Sequence, residues 1–210
     1  MVERRGLFIV DPQVDFCPGG ALAVPNGDQI VADIRKFVQE NKRDYTVAFI
    51  SRDWHINPGM HFASNDAFAP YAEPDYVDTW PDHCVAYTPG AMFHPNLGYV
   101  GIIRSYVINK GLYSPGYSAL SDDAVIEMAG HFELAHPTAI MDSFKGIEVY
   151  DVVGIETNHC VKQTALDLAK RGLKVNCIID LCAPLTPEAE QAAITEMVDA
   201  GVNIIHARLH

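Results

Sequence analysis

The chain has 210 residues, with 15 Lys and Arg against 27 Asp and Glu, so its formal net charge is −12 with neutral histidines. That length suffices for one domain, residues 1–210, with a sizeable core and no need of disulfide staples; the acidic balance, with a pI near 5.0, excludes the basic stripe of a nucleic-acid binder. The longest apolar runs, such as residues 7–10, cannot span a bilayer, and the segment ahead of Asp11 lacks the apolar core of a signal peptide. A soluble, cytoplasmic chain with no membrane partner is expected.

Taken in chain order, residues 7–10 read as a short buried strand, and residues 28–40 as an amphipathic helix with Ile30, Ile34, Phe37 and Val38 on one face. Further strands are expected over 46–50, 106–109, 149–153, 174–179 and 202–205, where Val and Ile dominate. A helix over 160–171 buries Val161, Ala165 and Leu168 and stops at Gly172. Another over 187–200 opens with Thr186 as N-cap and Pro187 at its first position, and stops at Gly201. Apolar strands alternating with helices predict an α/β fold with a mostly parallel sheet covered on both faces. Ligands on such sheets sit at the carboxyl ends of the strands.

Residues 51–101 break this rhythm. They show no strand pattern, and they carry six prolines, both tryptophans (Trp54 and Trp80) and four histidines. A segment this long and this aromatic is expected to be an ordered excursion over the ligand end of the sheet.

Three reactive side chains fall at predicted strand ends: Asp11 after LFIV, Lys110 in VINK, and Cys160 in the turn after VVGIETNH. A cysteine in the first turn of a helix is expected to have its thiol pKa lowered by the helix dipole, which favours a thiolate nucleophile. A second group comprises Asp53, His55, His61 and His83. Imidazoles and a carboxylate suit a borderline divalent ion such as Zn, Fe or Mn. The remaining cysteines (Cys17, Cys84, Cys177 and Cys182) read as buried apolar residues. Asp15 reads as a turn brace, and His94, His131, His136, His206 and His210 as non-functional.

The segments IVDPQVDFCPGGAL, SRDWHINPGMHF, WPDHCVAYTPGA, NKGLYSPGYSAL and VVGIETNHCVKQTALDLAKRGLKV together resemble the nicotinamidases. These are the metal-containing branch of the isochorismatase-like cysteine hydrolases. The resemblance runs from about Leu7 to Ile205, in family order, and is weakest over 121–146. It implies a three-layer sandwich around a six-stranded, mostly parallel sheet with a metal-carrying loop excursion. It also implies hydrolysis of nicotinamide to nicotinate and ammonia in pyridine-nucleotide salvage, through a cysteine thioester, with pyrazinamide as a further substrate. Residue by residue, Cys160 matches the family's nucleophile, Asp11 its proton acceptor and Lys110 the third catalytic member. Asp53, His55, His61 and His83 match the ligands of one divalent ion, zinc foremost. Phe16, Trp80, Tyr117 and His159 match the ring pocket. A cis peptide is implied at Ile155–Glu156, with the backbone N–H groups of Glu156 and Cys160 as the oxyanion hole. Two departures flank the nucleophile: Glu156 where many relatives have a small residue, and Asn158 where Asp is frequent. The alternatives are a related amide or carbamoyl hydrolase acting on another small substrate, and a non-catalytic binding protein. Partners other than the small substrate are not implied, and both a monomer and a homo-oligomer fit the sequence.

Overall fold

The apolar runs form strands whose alternate side chains enter two separate cores. The computed structural model describes residues 4–67, 69, 73–102, 104–128 and 131–207. In chain order the main elements are β1 (Arg5–Val10), α1 (Gly27–Asn41), β2 (Tyr45–Asp53), β3 (Ser105–Lys110), β4 (Val125–Met128), β5 (His131–Ala135) and α2 (Pro137–Ser143). These are followed by β6 (Val149–Ile155), α3 (Lys162–Lys170), β7 (Lys174–Ala183), α4 (Pro187–Asp199) and β8 (Asn203–Ile205).

The eight strands form one sheet in the order β5-β4-β3-β2-β1-β6-β7-β8. All six strands expected from the sequence are present, and every pairing among them is parallel. The six-strand count is corrected to eight by β4 and β5, which add to the β3 edge as antiparallel strands. They escape a reading by apolar runs because their sequences, VIEM and HFELA, are interrupted by a charged residue.

β1 lies at the centre, and Leu7, Phe8, Ile9 and Val10 are fully buried. Leu7 and Ile9 face a core shared with Val31, Ile34, Phe37 and Val38 of α1. Phe8 and Val10 face the opposite core, shared with Ala165 and Leu168 of α3 and with Ala193 and Met197 of α4. Each such large apolar side chain removed from water contributes about 1.5–3 kcal/mol, and the period-two alternation of β1 decides which helix covers which face. The helix boundaries follow their signals. Thr186 Oγ1 accepts from the backbone N–H of Ala189 at 3.1 Å, and Gly172 and Gly201 end their helices at φ of 77° and 86°, where a Cβ would be strained.

The excursion starts later than the composition implies, because β2 runs on to Asp53. Beyond it the chain passes through short 3-10 turns, including Gly59–His61 and Pro89–Ala91. It packs Trp54, Cys84, Ala91 and Leu97 onto the α1 face of the sheet. Among the described residues no helix is long and apolar enough to cross a membrane.

Candidate active site

Four adjacent parallel strands end side by side, and each delivers a polar group to the same place. Lys110 is the last residue of β3 and Asp53 the last of β2. Asp11 directly follows β1, and the turn after β6 leads to Cys160. The order of the side chains in space therefore follows the order of the strands in the sheet, as expected at the carboxyl end of a parallel sheet.

Lys110 sits at the hub, fully buried. Its Nζ lies 2.8 Å from Asp11 Oδ2, 2.6 Å from Asp53 Oδ1 and 3.4 Å from Cys160 Sγ. An oxygen of Asp11, an oxygen of Asp53 and the sulfur of Cys160 all lie within 4.8 Å of one another. Burial alone would neutralise Lys110, but the carboxylates of Asp11 and Asp53 hold its pKa well above the usual lysine range. Burial raises the Asp11 carboxyl, and the nearby Asp53 charge adds to this against the pull of Lys110. For Asp53, burial acts upward, but Lys110 and then His55 and His83 outweigh it and bring the pKa down to about 2.

Asp11 takes a left-handed backbone, φ 48°, a conformation that Asp tolerates better than most residues. Ser51 Oγ donates to its Oδ1 at 2.7 Å. Gln13 clamps the Asp53 peptide: its Oε1 accepts from Asp53 N at 2.8 Å, and its Nε2 donates to Asp53 O at 2.8 Å.

The expectation of a thiol acidified by a helix dipole is overturned. Cys160 lies in a single π-helical turn, Thr157–Val161, ahead of α3 rather than in the first turn of an α-helix. Its pKa is raised well above the ordinary thiol value, because burial, the Asp11 and Asp53 charges and a hydrogen bond to Asp11 outweigh Lys110. The Ile155–Glu156 peptide is cis, as the resemblance implied.

His55, His61 and His83 meet beside this cluster, all buried, with one ring nitrogen from each within 4.8 Å of the others. His55 Nδ1 bonds the carbonyl of Gly111 at 2.6 Å and His83 Nδ1 that of Pro81 at 2.7 Å. Carbonyls only accept, so both Nδ1 atoms carry protons, which leaves each Nε2 as the atom available to a metal. Those Nε2 atoms face Asp53 Oδ2 at 3.7 and 4.0 Å. His55 Nε2 and His61 Nδ1 are buried with no hydrogen-bond partner among the described residues. Burial lowers the pKa of His83 and brings that of His61 to about 3, keeping the His61 ring neutral. Three buried imidazoles with their ring nitrogens gathered together, two of them facing one carboxylate, fit a divalent cation.

Above the cluster opens a cleft of about 370 Å³, mouth included. Phe16, Trp80, Tyr117 and His159 all line it, as expected, and Cys160, Asp53, His61 and His83 contribute to its inner wall. Trp80 Nε1 donates to the Tyr117 hydroxyl at 3.1 Å, holding the two rings together. Leu22, Val24 and Leu185 also line it; the sequence singled out none of them. Nor did it single out Ser51, Gln13 or Gly111 as supports. A buried amide two residues after Asp11, and a serine two before Asp53 on the same strand face, were the signals available.

A buried lysine binding two carboxylates and a cysteine, with a histidine cluster beside it on a parallel α/β sheet, defines a cysteine-centred site of a specific family. The chain belongs to the isochorismatase domain family, which matches residues 5–208. It is 38% identical over 201 residues to the nicotinamidase/pyrazinamidase of Mycobacterium tuberculosis, covering 96% of this chain and 98% of that one. It is 34% identical to the nicotinamidase of Escherichia coli, covering 95% and 93%. Among solved structures, the pyrazinamidase of Pyrococcus horikoshii in complex with zinc matches with a TM-score of 0.74 at 29% identity, covering 96% of this chain and 98% of the other.

Proposed function

We propose that this chain hydrolyses nicotinamide to nicotinate and ammonia, and accepts pyrazinamide as well, with Cys160 as nucleophile. The observation that carries this reading is the position of Lys110 Nζ, 2.8 Å from Asp11 and 3.4 Å from Cys160 Sγ, which gathers nucleophile, base and countercharge around one ammonium.

In this reading the aromatic ring lies between Phe16 and Trp80, where stacking adds about 0.5–1.5 kcal/mol beyond area burial. Asp11 takes the thiol proton as the sulfur attacks the carboxamide carbon, and Lys110 balances the charge. The backbone N–H groups of Glu156 and Cys160 hold the resulting oxyanion. The C–N bond breaks, ammonia leaves with the proton from Asp11, and a thioester remains. Asp11 then takes a proton from water as it attacks the thioester. The C–S bond breaks, nicotinate forms and the thiol regains its proton.

Asp53, His55, His61 and His83 would hold one divalent ion, with zinc as the proposed identity. Such an ion supplies Lewis acidity and a fixed positive charge at the inner wall of the cleft.

The test is ammonia release from nicotinamide by the purified chain, with metal content determined on the same sample and Cys160→Ala alongside. Release should be rapid, with about one divalent ion per chain, and should vanish in the variant without loss of metal. Turnover by Cys160→Ala within about tenfold of the unaltered chain, a barrier change near 1.4 kcal/mol, would remove Cys160 as nucleophile.

A further inference from the structure

Glu156 is a buried carboxylate in the wall of the cleft, and its bonds run to Asn158, Leu185 and His159. Its Oε1 accepts from the backbone N–H of Asn158 at 3.1 Å and of Leu185 at 3.2 Å. Its Oε2 lies 2.5 Å from His159 Nδ1. Asn158 approaches the same nitrogen, with its side-chain amide 3.1 Å away, while its Oδ1 is buried with no partner. A carboxylate only accepts, so Nδ1 of His159 carries the proton. A half-turn of the Asn158 amide then brings its otherwise partnerless oxygen onto that proton. Two acceptors thus converge on one N–H.

The other ring nitrogen, Nε2, has no hydrogen-bond partner among the described residues. The ring is partly exposed, stands edge-on to Trp80 at 5.3 Å, and lines the cleft. We infer that Glu156 is a positioning residue that, with Asn158, fixes the tautomer of His159, so that its Nε2 lone pair makes this wall an acceptor and selects against ring atoms that present a lone pair of their own. The inference rests on the proposed hydrolysis of flat carboxamides. Nicotinamide and pyrazinamide report on it directly, because pyrazinamide replaces one ring C–H of nicotinamide with a nitrogen lone pair. A C–H facing Nε2 is tolerated, whereas a lone pair facing Nε2 is repelled.

Glu156→Gln is the informative variant. The two backbone N–H groups on Oε1 require an oxygen there, so the new NH2 must take the place of Oε2 and donate to Nδ1. The single ring proton of the inferred tautomer then moves to Nε2, and the wall becomes a donor. Nitrogen-15 NMR of His159 should report Nδ1–H in the unaltered chain and Nε2–H in Glu156→Gln. The kcat/KM of pyrazinamide relative to nicotinamide should rise about tenfold in the variant. A Glu156 that served only to hold the two backbone N–H groups would leave the ratio unmoved, since Gln keeps both of those bonds. An Nε2–H signal in the unaltered chain, or an unchanged ratio in a variant whose tautomer has switched, overturns the inference. If the unaltered chain releases ammonia from neither amide, the hydrolase reading fails and the substrate selection fails with it, while the NMR signal still decides the tautomer.

Discussion

Asp53 and Lys110 are register partners at the last positions of two adjacent parallel strands, and their side chains close to 2.6 Å between Oδ1 and Nζ. The other oxygen of Asp53 faces the imidazoles of His55 and His83. One carboxylate therefore joins the lysine cluster to the histidine cluster, and the sheet register sets the separation of the two. In the proposed reaction this ties the charge on the inner wall of the cleft to the ammonium that serves Asp11 and Cys160.

Removing the hub should cost more than removing a surface ion. Lys110→Met keeps most of the stem but leaves Asp11 and Asp53 buried without their cation. Breaking a buried pair in this way costs about 3–5 kcal/mol. Urea unfolding of Lys110→Met at pH 7 should show that loss. A loss under about 1 kcal/mol would mean that the two carboxylates do not depend on Lys110, contrary to their 2.6 and 2.8 Å contacts.

Gln13 supports Asp53 through its backbone rather than its carboxylate. Gln13→Leu preserves bulk but strips partners from the Asp53 N–H and from the Asp53 and Ala91 carbonyls. Each buried group left unpaired costs about 1–3 kcal/mol. The loosened strand end should also weaken metal retention by about tenfold or more, in the range seen when supports of metal ligands are removed. Competition with a chelator reads the second effect; metal retention equal to that of the unaltered chain would confine Gln13 to stability.

Gly111 follows the hub lysine and accepts from His55 Nδ1. Its φ of 66° already disfavours any Cβ, and an added Cβ would stand 2.8 Å from His55 Cε1. Gly111→Ala must therefore rotate His55 or shift its own backbone. Either movement displaces one imidazole from the cluster. The expected result is metal affinity reduced by about tenfold or more with Cys160 still in place. Isothermal titration of the metal-free variant against the metal-free unaltered chain measures it.

Much of this was legible in the sequence because strand ends carry their own punctuation. Asp11 and Lys110 stand where an apolar β-run stops and Cys160 in the turn that follows another, and the strand-end rule brings the three together. The histidine set had only weak local signals, since the excursion holding His61 and His83 is positioned by long-range contacts such as Phe62 pairing with Trp80. The two antiparallel strands carry no such signal, because VIEM and HFELA interrupt their apolar residues with a charged one. The misjudged thiol is the most informative case. The helix-end rule considers one favourable dipole, whereas the folded site adds complete burial and two carboxylates, and these outweigh it. Glu156 and Asn158 appeared as two separate departures beside the nucleophile; the structure makes them one feature, because both converge on His159.

The buried thiols and Tyr45 predict a loss of stability at alkaline pH. Burial raises Cys17 to about 11, and Cys182 is pushed well above the ordinary range by its hydrogen bond with Cys177 and by burial. Tyr45 is raised in the same direction by burial and the neighbouring Asp151 carboxylate. In the unfolded chain a thiol ionises near 8.5. Between that pH and its folded pKa, the native state holds a proton that the unfolded state has lost, so stability falls as pH rises. The window opens near pH 8.5 and extends beyond pH 10, with each such group contributing up to about 1.4 kcal/mol per pH unit. Melting temperatures should therefore drop from pH 8.5 to 10.5, and Cys182→Ala should make the drop shallower by removing one proton from the difference. A profile with the same slope in the variant would show that Cys182 is not among the groups that titrate on unfolding.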